Sequence, residues 1–110
     1  MQDKLEEIFS LQKDFEDMMN LDRYPKDVEG KVSALCTAMI HEIIELQRTT
    51  NWKWWKKPVP FDQTEAREEL IDIWHFLIQA SLELNLTPDN ILKEYQRKNE
   101  INRQRQKDGY

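Results

Sequence analysis

Apolar residues recur at three- and four-residue spacing in four successive stretches of this 110-residue chain, and that period commits it to helices. The first stretch runs from about Asp3 to Asn20 with Leu5, Ile8, Leu11, Phe15 and Met18 on one stripe. Pro25 breaks the pattern within Leu21 to Lys26. A second helix follows from about Asp27, a suitable N-cap, to Thr49, and Val32, Leu35, Cys36, Met39, Ile40, Ile43 and Leu46 give it a wide apolar arc. Thr50 to Phe61 reads TNWKWWKKPVPF, where Pro58 and Pro60 forbid a regular helix. Asp62 with Glu65 forms a capping-box-like start for the third helix, which runs to about Leu84. Its Leu70, Ile71, Ile73, Trp74, Leu77, Ile78 and Leu82 lie nearly all round, so it is expected to be the most buried. Thr87 caps a fourth helix with Pro88 at its first position, continuing to about Gln106. No strand is expected. The reading is one all-α domain over residues 1–110, a compact four-helix bundle.

Hydrophobic residues make up 39% and charged residues 34%, a balance that suits a soluble protein of amphipathic helices. No apolar run reaches the ~18 residues of a membrane span, so no membrane partner is expected. The acidic start MQDKLEEIF lacks a signal-peptide pattern, and the expected location is the cytoplasm, or the host cytoplasm if the chain is phage-encoded. Cys36, the single cysteine, cannot form an internal disulfide and is expected in the core. The net charge of −5 argues against nucleic acid as a partner. The charge is uneven, however: from Lys93 to Lys107 the bases Lys93, Arg97, Lys98, Arg103, Arg105 and Lys107 accompany only the acids Glu94 and Glu100. Such a helix suits an anionic ligand or a solvated face. Gly30 and Gly109 are the only glycines, which excludes glycine-rich loops that cradle phosphate with backbone amides. Phosphate, if handled, must be held by cationic side chains and metal.

Glu42 and Glu45 are three apart and share a helix face, as do Glu69 and Asp72 on the next helix, while Lys98, Asn102 and Arg105 form a stripe on the last. Acidic pairs such as Asp14/Asp17 and Glu65/Glu68 have the same spacing and read as solvated faces. Glu42 and Glu45 differ because they lie within MIHEIIEL, and Asp72 lies within LIDIWHFLI. Carboxylates packed among apolar residues lose hydration and repel each other, and a divalent cation relieves both penalties. Four hard oxygen donors favour Mg²⁺, with Mn²⁺ as a substitute, or Ca²⁺. Such an ion would polarise phosphoryl oxygens and activate a water as nucleophile. A carboxylate not fully engaged by metal would take the water's proton, and Lys98 and Arg105 would neutralise phosphate charge.

The E-x-x-E pair Glu42/Glu45 followed by the E-x-x-D pair Glu69/Asp72 resembles the signature of the all-α nucleoside triphosphate pyrophosphatases, which include the MazG-like enzymes and the dimeric dUTPases. The segment Trp52-Lys53-Trp54-Trp55-Lys56 between the pairs is similar to the dimeric dUTPases, as is the late segment containing Lys98, Asn99, Asn102, Arg105, Gln106, Gly109 and Tyr110. The resemblance covers about Ile40 to Tyr110. It implies hydrolysis of dUTP to dUMP and pyrophosphate, with Mg²⁺ held by both acidic pairs and Glu42, or else Glu45, activating the water. It further implies phosphate binding by Lys98, Asn102 and Arg105, packing of Phe76 on the deoxyribose, and reading of uracil by Gln12. Two departures stand against it: family dUTPases are usually longer, and no asparagine follows Gln12 closely enough to complete a uracil reader.

Three tryptophans interleaved with Lys53, Lys56 and Lys57 exceed what anchoring a loop requires, so one of them, Trp54 in this reading, is expected to wall the base while Lys56 reaches phosphate. Trp74 is expected in the core. His75 gives D-x-x-H with Asp72, but His41 points elsewhere, so a di-iron site is not expected and His75 reads as a hydrogen-bonded histidine beside the site. Two other functions stay open: a MazG-like pyrophosphatase for another or non-standard deoxynucleotide, and a non-catalytic helical module binding a partner through the tryptophan loop. Apolar surface left on the first and third helices is expected to be covered by a second copy, in a homodimer or a dimer of dimers.

Overall fold

A computed structural model describes residues 3–109, so Tyr110 of the late segment lies outside the described residues. It consists of four helices: α1 (Lys4–Met18), α2 (Val28–Gln47), α3 (Gln63–Glu83) and α4 (Pro88–Lys107). No strand occurs among the described residues. The starts fall where the capping chemistry put them. The Asp3, Asp27, Asp62 and Thr87 side chains each accept from a backbone N–H of the first turn, and at α4 the box is closed by Asn90. The chain leaves α3 through Asn85 at φ 58, with Leu86 N–H donating to Ser81 C=O and Asn85 N–H to Leu82 C=O. That double bond is a Schellman termination, and asparagine tolerates its left-handed residue.

A glycine is required at the start of α2, where Gly30 donates its N–H to Asp27 Oδ2 at 2.9 Å. A Cβ there would sit 2.7 Å from Asp27 Oδ1 and 3.0 Å from Pro25 Cβ. Gly30→Ala is therefore expected to lower stability by about 1 kcal/mol, the worth of a displaced cap, despite alanine's better helix propensity. Urea unfolding measures it, and an alanine variant more stable than the parent would show that the cap yields at no cost.

α2 and α3 form an antiparallel pair. Lys31 near the start of α2 meets Glu83 at the end of α3 at 3.2 Å, and Glu42 near the end of α2 meets Glu69 and Asp72 early in α3. α1 packs on α3, and α4 approaches only α1. The buried apolar residues among those described are Phe9, Leu35 and Ile78. The radius of gyration is 17.5 Å, against about 13 Å for a compact chain of this length. The accessible surface is 9289 Å², roughly 2,800 Å² above the value for a compact monomer of this mass. The all-α class is as expected, but the four helices are packed openly.

Two burial expectations are corrected for the same reason. Cys36 is exposed, and Trp74 is 45% exposed with Leu70, Ile71 and Leu77 also open. The apolar arcs of α2 and α3 are wider than the single seam the two helices share. Leu35, Met39, Glu42 and Leu46 advance along that seam, whereas Cys36, Ile40 and Ile43 lie on the side with no helix over it.

Candidate functional site

The seam between α2 and α3 turns from apolar to acidic in its middle. Glu42 and Glu69 are half-buried there, Asp72 is exposed, and one oxygen from each lies within 4.8 Å of the others. Partial loss of hydration, then the charges of Asp72, Glu45, Glu42 and Glu65, hold the Glu69 carboxyl above its ordinary range. The cluster thus has the oxygen donors and the excess charge that a hard divalent cation satisfies. Glu45 stands beside the cluster and not within it. Its carboxylate accepts from Arg48 Nη1 at 3.4 Å, an exposed i,i+3 pair.

Next along α3 the seam becomes a cavity. Gln12, Phe15, Tyr24, Leu35, His75, Phe76 and Gln79 contribute to a space of about 420 Å³ between α1, α2 and α3. A second space of about 450 Å³ opens on the other side of Gln12 and His75, walled by Ile8, Leu11, Phe15, Ile71, Trp74 and Ile78. Gln12 is 9% exposed and sits between them. Its Nε2 donates to Gln79 Oε1 at 3.2 Å, and its Oε1 faces His75 Nδ1 at 3.0 Å. Gln79 Nε2 in turn donates to Glu83 Oε1 at 2.8 Å. The Tyr24 hydroxyl is buried nearby, and burial followed by the charges of Glu83 and Glu16 pushes its pKa up to about 12, so it stays a neutral phenol.

The geometry brings together Glu42, Glu69 and Asp72 in one place, and Gln12 with Phe76 in the adjoining cavity. Within one chain it brings neither Trp54 nor Lys56 to the cavities, nor α4 to α2 and α3. Trp54 is 85% exposed, and neither it nor Lys56 lines either cavity. The loop is instead held by itself. The Asn51 side chain bonds both the N–H and the C=O of Val59, each at 2.9 Å. Trp55 meets Trp52 and Trp54 edge-on at 5.8 Å and 4.7 Å, and Lys53 lies over the Trp52 ring. Lys98, Asn102 and Arg105 are exposed on α4, which does not reach α2 or α3.

A family model described as dUTPase matches residues 4–89. The chain belongs to the all-α dUTPase family. The match spans α1, α2, the tryptophan loop and α3, so it holds every element of the acidic cluster and of the cavity beside it. A relative, the dCTP pyrophosphatase of Enterobacteria phage T4, is 33% identical over 78 residues, covering 60% of this chain and 46% of its own length. The chain thus spans about half the length of that relative. No solved structure matches the chain significantly. No helix among the described residues is long and apolar enough to cross a membrane.

Gln79, Glu83, Lys31 and Tyr24, grouped around Gln12, are not among the candidates that the sequence singles out. Gln79 and Glu83 are an i,i+4 pair and were open to detection as a helical hydrogen bond. Lys31 meets Glu83 from far along the chain, and no local pattern announces it.

Proposed function

We propose that the chain is a Mg²⁺-dependent pyrophosphohydrolase of pyrimidine deoxynucleoside triphosphates, with dUTP first among them. The observation that carries this reading is the clustering of Glu42, Glu69 and Asp72, with Asp72 one helical turn before Phe76, which lines a cavity together with Gln12. Family membership supports it, as does the relative's own pyrophosphatase activity.

The carboxylates of Glu42, Glu69 and Asp72 would hold the cation, with Glu45 next to them. When bound, Mg²⁺ offsets their repulsion, draws charge from phosphoryl oxygens and acidifies a nearby water. The chain's own residues do the rest. Water contributes an oxygen to one phosphorus of the α–β bridge, that bridging bond breaks, and pyrophosphate leaves. One carboxylate accepts the water's proton: Glu42, or else Glu45, whose oxygens stand outside the three-oxygen set. Phe76 packs against the deoxyribose, so an added 2′-hydroxyl meets an apolar ring. Gln12 offers an amide to the base. Lys98, Asn102 and Arg105 hold the phosphate chain and the departing pyrophosphate, with Trp54 and Lys56 closing over the nucleotide.

In this reading α4 reaches the acidic cluster of a second copy, because within one chain it contacts neither α2 nor α3. The excess surface of roughly 2,800 Å² exceeds the ~800 Å² per partner of a standard interface and suits an obligate homodimer. Leu11, Phe15, Ile71 and Trp74 are the exposed apolar residues such a partner would cover.

Incubating the protein with Mg²⁺ and each deoxynucleoside triphosphate in turn, and measuring monophosphate, tests the assignment. Release of dUMP is expected to be fastest and UTP is expected to be a poor substrate. The relative favours a second reading, in which dCTP leads. Turnover of dUTP no faster than that of dCTP or dTTP would remove the dUTPase assignment.

A further inference from the structure

The residues around Gln12 form one chain of hydrogen bonds whose direction is fixed at its far end. Glu83 is a carboxylate, 9% exposed at its side chain and paired with Lys31 at 3.2 Å, so it only accepts. The Gln79 atom that meets it must be the Nε2–H₂ donor. The other end of that amide is then Oε1, which can only accept, so the Gln12 atom meeting it must be Nε2. Gln12 Oε1 is left facing His75 Nδ1, which must carry a hydrogen. One acceptor-only group, roughly two helical turns along α3 from His75, thereby dictates two amide orientations and one imidazole tautomer.

We propose that Glu83 is a positioning residue for base selection: through Gln79 it locks the amide of Gln12 in one orientation, and so decides which pyrimidine edge the cavity accepts. This rests on the proposed reading that Gln12 meets the base. An amide turned by 180° exchanges its donor and acceptor. Uracil presents N3–H beside an acceptor O4, and cytosine presents an acceptor N3 beside N4–H₂, which are mirror patterns to such an amide. An amide free to turn serves both, while a locked one serves one and leaves a buried polar group unpaired against the other. Glu83→Gln replaces the acceptor-only group with one that can donate or accept, so both directions of the chain become available with almost no change of shape.

The test uses affinities for non-hydrolysable α,β-imido dUTP and dCTP, measured with Mg²⁺ on the intact protein, so that it does not depend on turnover. The wild type is expected to prefer one of the two, and Glu83→Gln to bring their affinity ratio about tenfold or more nearer to one. Lys31→Met removes the ion pair but leaves the acceptor in place, and its ratio is expected to match the wild type even if it is less stable. Nitrogen-15 NMR of His75 at about pH 9, above the ordinary histidine range, is expected to show the Nδ1–H tautomer in the wild type and a mixture in Glu83→Gln. An unchanged ratio in folded Glu83→Gln, or an Nε2–H His75 in the wild type, would overturn the proposal. Failure to hydrolyse any deoxynucleotide would instead sink the proposed reaction and leave these binding and NMR outcomes to judge the lock.

Discussion

Glu69→Gln is expected to lower turnover by about a thousandfold or more while making the metal-free protein more resistant to heat. The two effects share one cause. Glu69 lies half-buried within 4.8 Å of carboxylate oxygens of Glu42 and Asp72, and its carboxyl is held above its ordinary value by lost hydration and by those charges. A carboxyl raised on folding binds its proton more tightly in the native state than in the unfolded chain. Its favourable contribution is therefore complete below the unfolded value of 4.5 and is lost as pH rises through the higher folded value. At neutral pH the ionised group weighs against folding, and glutamine has the same shape without the charge. In EDTA, the melting temperatures of variant and wild type are expected to coincide near pH 4 and to separate as pH rises, the variant lying higher. Mg²⁺ is expected to raise the wild-type melting temperature and to have little effect on the variant. Near-wild-type turnover by Glu69→Gln would exclude the cluster as the reaction centre.

The second large effect concerns pairs of inactive proteins. Glu69→Gln supplies an intact α4, and a Lys98→Ala/Arg105→Ala double variant supplies an intact acidic cluster. Each alone is expected to be nearly inactive, because phosphate charge must be met from one side and the metal held from the other. Within a chain, α4 lies against α1 and away from α2 and α3, so the two halves of the site belong to different copies in the proposed dimer. Random exchange of subunits from an equal mixture gives about half heterodimers. Each heterodimer holds one complete site, and activity is expected to return to roughly a quarter of wild type. Co-refolding the variants and assaying the mixture measures this. No recovery, with subunit exchange verified by mass spectrometry, would show that both halves act within one chain.

Much of the helical frame was legible in the sequence, because capping side chains act over three or four residues. Asp27, Asp62 and Thr87 mark the helix starts without reference to anything distant. Burial was less legible. An i+3/i+4 apolar stripe says that a face needs cover but not whether the cover comes from the same chain, which is why Cys36 and Trp74 read as core and stand open. At the site, apolar neighbours set Glu42, Glu45 and Asp72 apart from ordinary surface acids, and the structure gathers Glu42 and Asp72 with Glu69. The separation of Glu45 from them was in principle readable, since Arg48 follows it by three. The place of Trp54 was not readable, since Asn51 ties its loop to Val59 and within one chain Trp54 lines neither cavity. The lock on Gln12 was not readable, since it depends on α1 and α3 meeting across 67 positions of sequence.

The antiparallel α2–α3 pair also bears on how the molecule is made. Its contacts join neighbouring stretches of chain, so it closes a short loop at small entropic cost and suits an early folding unit. α4 follows α3 and, among the helices, contacts only α1. In the proposed dimer the metal half of the site would then be formed soon after α3 is synthesised, whereas the phosphate half waits for an encounter between two chains. Catalytic competence would accordingly be reached by a bimolecular step, so its onset depends on how abundant the protein has become.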